Sequence, residues 1–360
     1  MTKAPDLLYS EEEEALRAVV RDLLTDHCPP ADVIARVESD APHDLALWKS
    51  LAEGMGLAGL LVPEEQGGQG ASAREAAVVL EELGRAVAPV PYLTSAVVAT
   101  EALLACGDAE LLGQLASGRT IGALAVALHA APGAAFKSVR LEDGLLHGEL
   151  TGIADAAVAD VLLVPAEDGG LYAVAAGAAT VTSQTSLDLT RPLATVRLDG
   201  APGRRVGEAE PAVRRALRAA AGLLASEQLG VADWALTETV RYLKERRQFN
   251  RPVGGFQALK HRLAQLWLEV VNLRAAARAA ADALASGADT DVSVAVAQAY
   301  AAPVAVHAAE EALQLHGGIG MTWEHPIHLC LKRAKADSIA YGTAGAHREA
   351  LAELVDLQAP

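Results

Sequence analysis

Seven apolar residues, Leu259, Leu263, Leu266, Val270, Leu273, Ala277 and Leu284, follow one another in three- or four-residue steps with one double step. That period is helical, and it persists for about seven turns, far longer than the three turns of an ordinary helix. A stripe of this length cannot be satisfied by one helix in water, so the chain must bring other helices against it. Composition agrees: the chain is 51% hydrophobic but only 4% aromatic, and a core built from Ala, Leu and Val suits closely packed helices.

Upstream, the sequence carries explicit helix starts. Ser10 with Glu13, and Ser72 with Glu75, are capping-box pairs, and Asp44 stands where it can cap a helix carrying Leu47, Trp48 and Leu51. Pro63 and the glycines Gly67, Gly68 and Gly70 interrupt the helical pattern between them. From about Thr120 the period turns to two. SVRLEDGLLHGEL folds back at Asp143-Gly144, DVLLVPAEDGGLYAV repeats the pattern, and in ATVRLDG the apolar Val196 and Leu198 alternate with Arg197 and Asp199. After Pro211 the helical pattern resumes; Asp289 or Thr290 can cap a further helix, inside which Pro303 should produce a kink, and His316-Gly317-Gly318 stops it. The expected architecture is mostly α with a central antiparallel β domain: N-terminal helices over residues 1–118, a middle β domain over 119–208 and a C-terminal four-helix domain over 209–360.

Charge and cysteine usage exclude several function classes. Lys+Arg number 30 against Asp+Glu 46, a net charge of −16, so the chain is not expected to bind nucleic acid electrostatically. Cys28, Cys106 and Cys330 are widely spaced and odd in number, which indicates neither a disulfide framework nor a zinc site. The acidic N-terminus lacks the apolar stretch of a signal peptide, and the expectation is a cytoplasmic protein. Val292 to Ala309 is uncharged, but Ser293, Gln298, Pro303 and His307 make it a poor membrane span. His261, His307, His316, His325 and His328 are read as surface or capping residues, and no metal is expected. Trp48, Trp234, Trp267 and Trp323 are read as core or subunit-contact residues.

Two C-terminal blocks are more specific: YLKERRQFNRPVGGFQALKHRLA at Tyr242 to Ala264, and LQLHGGIGMTWEHPIHLCLKRAKADSIAYGT at Leu313 to Thr343. Arg246 and Arg247 stand at a helix end just before Asn250, Pro252 and Gly254-Gly255, and guanidinium forks suit pyrophosphate. The plainer reading is a solvated helix end in which Arg246 pairs with Glu238 or Glu245. Gly317, Gly318 and Gly320 lack dinucleotide-fingerprint spacing and follow a helix, so they read as a helix C-cap. Together with LAGLLVPEEQGGQG and EELGR at Glu81 to Arg85, these blocks resemble the acyl-coenzyme A dehydrogenase family over essentially the whole chain. The resemblance implies α,β-dehydrogenation of an acyl-CoA thioester, assembly as dimers or tetramers, and FAD lying across a subunit interface. It further implies that Arg246 reaches the pyrophosphate of a neighbouring subunit's FAD, with Phe249 beside it and Gln257 toward the adenosine half. Gln314, Gly317 and Gly318 would offer bare backbone to the cofactor, which is compatible with a C-cap, and Thr343 falls in the same set.

The chain departs from the family where the chemistry sits. Most members place a glutamate, the general base, just before Gly-Thr in the last motif; here the segment is Ala340-Tyr341-Gly342-Thr343. A minority carry it on the first long C-terminal helix, where this chain has Ala219, Ala220 and Ala221. Tyr341 is a poor base near neutral pH unless a cation lowers its pKa; it can donate a hydrogen bond or merely pack. The segments ALHAAPGAAFKS and GELTGIADAAVAD replace the usual flavin-ring contacts, with Thr151 and Asp155 as the substitutes on offer. The expectation is a subunit of a heteromeric, flavin-dependent enzyme that completes FAD binding for a partner carrying the base. The alternatives are a homomeric flavoenzyme using Glu227, Glu238 or different chemistry, and a silent scaffold or regulatory protein. Bulky acyl groups such as steroid side chains suit the resemblance to paired-subunit members.

Overall fold

The computed structural model describes residues 6–357 of the chain. The N-terminal helices are α1 (Glu11–His27), α2 (Pro30–Val37), α3 (Leu45–Lys49), α4 (Ala73–Ala86), α5 (Thr100–Cys106) and α6 (Ala109–Ala116). Their starts are where the side chains dictate. Ser10 accepts from the Glu13 amide while Glu13 accepts from the Ser10 amide, the Ser72–Glu75 pair repeats this with the Ser72 hydroxyl accepting from Arg74, and Asp44 accepts from the Leu47 amide. α3 widens into a π-helical turn at Ser50–Gly54, and another spans Tyr92–Ala99.

The strands form two four-stranded sheets packed face to face. One has the order β1 (Gly122–Leu124), β4 (Val161–Pro165), β5 (Gly170–Ala175), β8 (Arg204–Glu208). The other is β2 (Arg140–Glu142), β3 (Leu145–Ala154), β7 (Leu193–Pro202), β6 (Thr180–Ser183). The β2–β3 turn is Asp143-Gly144, both at positive φ, with Glu142 opposite Leu145. Leu146, Leu150, Leu162, Val164, Val174, Val196 and Leu198 meet between the sheets. Val161 and Leu163, on the other face of β4, join the helical core instead, so β4 is buried on both sides. The expected antiparallel character holds except at the edge, where β1 runs parallel to β4.

Three long helices build the C-terminal part: α7 (Ala209–Glu245), α8 (Gln257–Ser286) and α9 (Thr290–His316), with α10 (Ile327–Asp337) packed on α9 and α7, and α11 (Ala344–Leu354) on α9. Leu266, Val270, Leu273 and Ala277 of the α8 stripe are buried in this core, with Leu263 half-buried against it. α9 continues through Pro303. The carbonyl of Ala299, four residues earlier, loses its helical donor there and accepts from the Arg348 guanidinium instead. Neither candidate cap of α9 acts as one: Asp289 makes no capping bond and the Thr290 hydroxyl donates to Ala283. By length and composition α9 could cross a membrane, but its apolar surface is spent on α7, α8, α10 and α11. α7 and α4 cross backbone to backbone, since a Cβ on Gly230 would lie 1.9 Å from the Glu81 carbonyl and one on Gly84 2.1 Å from that of Glu227.

Candidate functional site

α7 ends at Glu245, and the chain turns back through a small hairpin of β9 (Arg247–Gln248) and β10 (Arg251–Pro252) before α8 begins. Phe249 and Asn250 form its two-residue tip at positive φ. Arg246 at the helix end, Gln248 and Val253 from the hairpin, Leu259 and Arg262 from α8, and Gln314 to Ile319 at the end of α9 wall a groove of about 490 Å³. Four predicted residues, Arg246, Gln314, Gly317 and Gly318, therefore converge although some 70 residues separate the two blocks.

The electrostatics of the groove discriminate between the two readings of Arg246. Glu238 and Glu245 are both taken by Arg241, and Arg262 is taken by Glu311, whereas the Arg246 guanidinium makes no hydrogen bond or ion pair among the described residues. The expected pairing with Glu238 or Glu245 is not made, and Arg246 stands as an exposed guanidinium on the groove wall. Gly317 caps α9 at φ +63, and no other atom lies within 4 Å of where a Cβ would stand on Gly317 or Gly318, so the backbone there is open to close approach. These features fit the phosphates of a dinucleotide. Phe249 and Gln257 stand outside the groove wall. Phe249 is 85% exposed and packs edge-on against Phe256, the neighbour of the exposed Gln257.

Tyr341 and Thr343 belong to a different place. Tyr341 is buried at φ +52, its amide donates to the Leu128 carbonyl at 2.7 Å, and its carbonyl accepts from His347. With Thr94, Val98, Leu124, Val126, Leu128, Ala154 and Leu217 it encloses a cavity of about 10 Å³, barely enough for one water. Burial pushes the Tyr341 hydroxyl up and outweighs the lowering by Arg191, so it is no base near neutral pH. Thr343 is an exposed cap whose hydroxyl accepts from the Ala346 amide. Of the substitute flavin contacts, Thr151 is exposed, and Asp155 is buried and already held by His43 at 2.9 Å and Thr94 at 2.7 Å.

Glu227 is not a free base either. It sits in a buried ionic cluster, between Arg191 and Arg333, which in turn hold Asp337 and Asp188. Burial alone would raise Glu227, but the two arginines outweigh it and keep the carboxyl ionised. Asp337 goes the other way: burial and then the neighbouring Glu227 drive its pKa well above the carboxylate range, and its Oδ2 has no partner. With Asp337 neutral the two arginines balance Glu227 and Asp188. None of this was visible in the sequence, and neither was a convergence of Glu238, His316 and His325 at the groove. The three cysteines are free, and burial pushes Cys28 up to about 12, so it offers no thiolate near neutral pH.

Comparison with known proteins decides the family. The acyl-CoA dehydrogenase N-terminal domain model matches residues 10–118 and the C-terminal domain model residues 211–355. The chain belongs to the acyl-CoA dehydrogenase family. It is 38% identical to acyl-CoA dehydrogenase IpdE2 of Mycolicibacterium smegmatis over 92% of this chain and 95% of that one. With IpdE2 of Mycobacterium tuberculosis it shares 40% identity over 90% and 91%. Among solved structures, a chain of the ChsE4–ChsE5 complex from Mycobacterium tuberculosis superposes with a TM-score of 0.87 at 30% identity, covering 99% of this chain and 100% of that one. A chain of the Tcur3481–Tcur3483 steroid acyl-CoA dehydrogenase gives 0.84 at 32%, covering 96% and 98%. Acyl-CoA dehydrogenases are FAD-dependent oxidoreductases, and this chain carries their fold from end to end.

Proposed function

We propose that this acyl-CoA dehydrogenase acts as one subunit of a heteromeric enzyme, holding the ADP half of an FAD whose flavin ring lies in a partner subunit that carries the catalytic base. The observation that carries this reading is a contrast within one molecule. The groove at the end of α9 is open, with Arg246 unspent beside the bare backbone of Gly317 and Gly318, while the space around Tyr341 is filled by the chain's own side chains. FAD bound across the two subunits would accept the β hydride of the acyl-CoA thioester as the partner's carboxylate removes the α proton. This chain's part is binding: Arg246 on the pyrophosphate with Phe249 beside it, Gln257 toward the adenosine half, and Gln314 with the bare backbone of Gly317 and Gly318 against the cofactor. Tyr341 packs, and Thr343 caps a helix.

Two further parts of the reading rest on similarity. The Tcur3481–Tcur3483 protein is described as a steroid acyl-CoA dehydrogenase, and ChsE4–ChsE5 is a two-protein complex; both support a paired assembly here and a bulky, steroid-like acyl group as substrate. A cytoplasmic location is part of the same proposal, in which α9 spends its apolar length inside the bundle.

Co-purification with a family member that carries glutamate at the position of Tyr341 tests the reading. The expected result is one FAD per two chains, acyl-CoA-dependent flavin bleaching in the complex, and a colourless chain when purified alone. Arg246→Ala should lower FAD retention by the complex about 10-fold or more, the equivalent of one charge-assisted phosphate contact, without changing the melting temperature of the chain alone. Stoichiometric flavin and turnover by this chain alone would overturn the assignment.

A further inference from the structure

At the groove, of whose wall His316 is part, three side chains from three separate elements converge. Glu238 lies on α7, His316 closes α9, and His325 lies in the loop before α10; one ligand atom from each falls within 4.8 Å of the other two. Neither the flavin reading nor the fold uses this arrangement. His316 is only 3% exposed, and its Nδ1–H donates to the Ala312 carbonyl at 2.7 Å. That bond fixes the tautomer and leaves Nε2 as a bare lone pair, and Nε2 is buried with no hydrogen-bond partner. A buried acceptor left unpaired is costly and calls for an explanation, a bound ion or water or a functional role among them.

We propose that Glu238, His316 and His325 form a site for a divalent cation of the zinc class. Two imidazoles and a carboxylate suit such an ion, and three protein ligands leave a fourth position for water or an oxygen ligand from the groove that His316 lines. The surroundings are those of metal ligands. The Nδ1–H···O=C bond of His316 is the usual outer partner of a ligating histidine, and Tyr242, one turn beyond Glu238, stacks on its ring at 4.5 Å and holds it in plane. Arg241 grips both oxygens of Glu238 from the outside, orienting the carboxylate without using all its lone pairs. At His325 the competing contact is the long 3.3 Å bond from the Ile327 amide to Nδ1. Burial lowers the pKa of both histidines, so each presents a neutral ring at neutral pH.

The trio was missed in the sequence because its members lie 78 and 87 residues from Glu238 and show no ligand spacing. His325 and His328 look like a pair on paper, but His328 turns away to stack on Trp323, 4.3 Å distant.

Untagged, chelator-stripped full-length chain titrated with Zn²⁺ tests the site. The expected result is one tightly held Zn²⁺ per chain by metal analysis. Glu238→Gln and His325→Gln should each weaken binding by about 100-fold, while His328→Gln leaves it unchanged. Because His316 is buried, its replacement can disturb folding. The Co²⁺-loaded wild type therefore provides the second measurement: absorption bands of a four-coordinate nitrogen and oxygen site, without thiolate charge transfer. No retained metal, a thiolate signature, or equal binding by wild type, Glu238→Gln and His325→Gln would overturn the proposal. These outcomes do not depend on FAD stoichiometry, so they stand apart from the test of the heteromer.

Discussion

Single residues decide which carboxylates of this chain are ionised, and they do so inside the protein. Arg191 lies 2.6 and 2.8 Å from the Glu227 oxygens, and Arg333 donates to the same carboxylate at 2.6 Å and to the Thr190 hydroxyl at 2.6 Å. Removing the charge of Glu227 leaves two buried guanidinium groups facing one carboxylate, so Glu227→Gln should destabilise the fold by about 3–5 kcal/mol in denaturant titration. Asp337→Asn should be tolerated, because that carboxyl is the neutral member of the cluster. The pH dependence follows from the opposite signs. Glu227 and Asp188 are held below their ordinary values, so their contribution is present above about pH 4 and is lost as pH falls through the lowered folded pKa values. The folded pKa of Asp337 is raised, so its contribution is present in acid and fades as pH rises through that raised value. From about pH 4 up to that raised value, melting temperature should therefore fall less in Asp337→Asn than in the wild type. The cluster was illegible in the sequence for a physical reason: its ion pairs join residues 36 to 146 positions apart, and no local pattern reports such a pairing.

Elements were legible where their determinants are local. The capping boxes at Ser10 and Ser72, the Asp143-Gly144 turn and the α8 stripe each depend on residues within one or two turns, and each is where the sequence puts it. The crossing of α4 and α7 is less local. Gly84 in EELGR and Gly230 could be seen, but not that each would meet the other helix's backbone. Gly230→Ala would press a methyl group into the Glu81 carbonyl and the Arg85 amide, 1.9 and 2.7 Å away, which packed helices can relieve only by moving apart. We expect a loss of about 3 kcal/mol or more, seen as a lower denaturation midpoint with native helicity retained in dilute buffer. Gly177→Ala, where no atom lies within 4 Å and φ is ordinary, should stay within about 0.5 kcal/mol of wild type.

At the scale of the whole molecule, the burial of Tyr341 and the filled space around it belong together. The walls around Tyr341 come from the N-terminal helices through Thr94 and Val98, from the middle strands and loop through Leu124, Val126, Leu128 and Ala154, and from α7 through Leu217. All three parts of the chain close on the same point, and the Tyr341 amide is already spent on Leu128. The C-terminal groove, by contrast, draws on α7, α8, α9 and the hairpin alone, so closure of one leaves the other unaffected. On the proposed reading, placing a carboxylate at position 341 is therefore not enough. Tyr341→Glu on its own should give a folded chain that neither retains FAD nor reduces a dye acceptor with acyl-CoA, because about 10 Å³ cannot admit a flavin ring or a thioester, and a lone carboxylate in that setting takes up a proton. Flavin content and dye reduction measured on the purified variant check this directly. Catalysis by Tyr341→Glu without a second subunit would mean that the three walls open readily, and the division of labour between two chains would then have no structural basis.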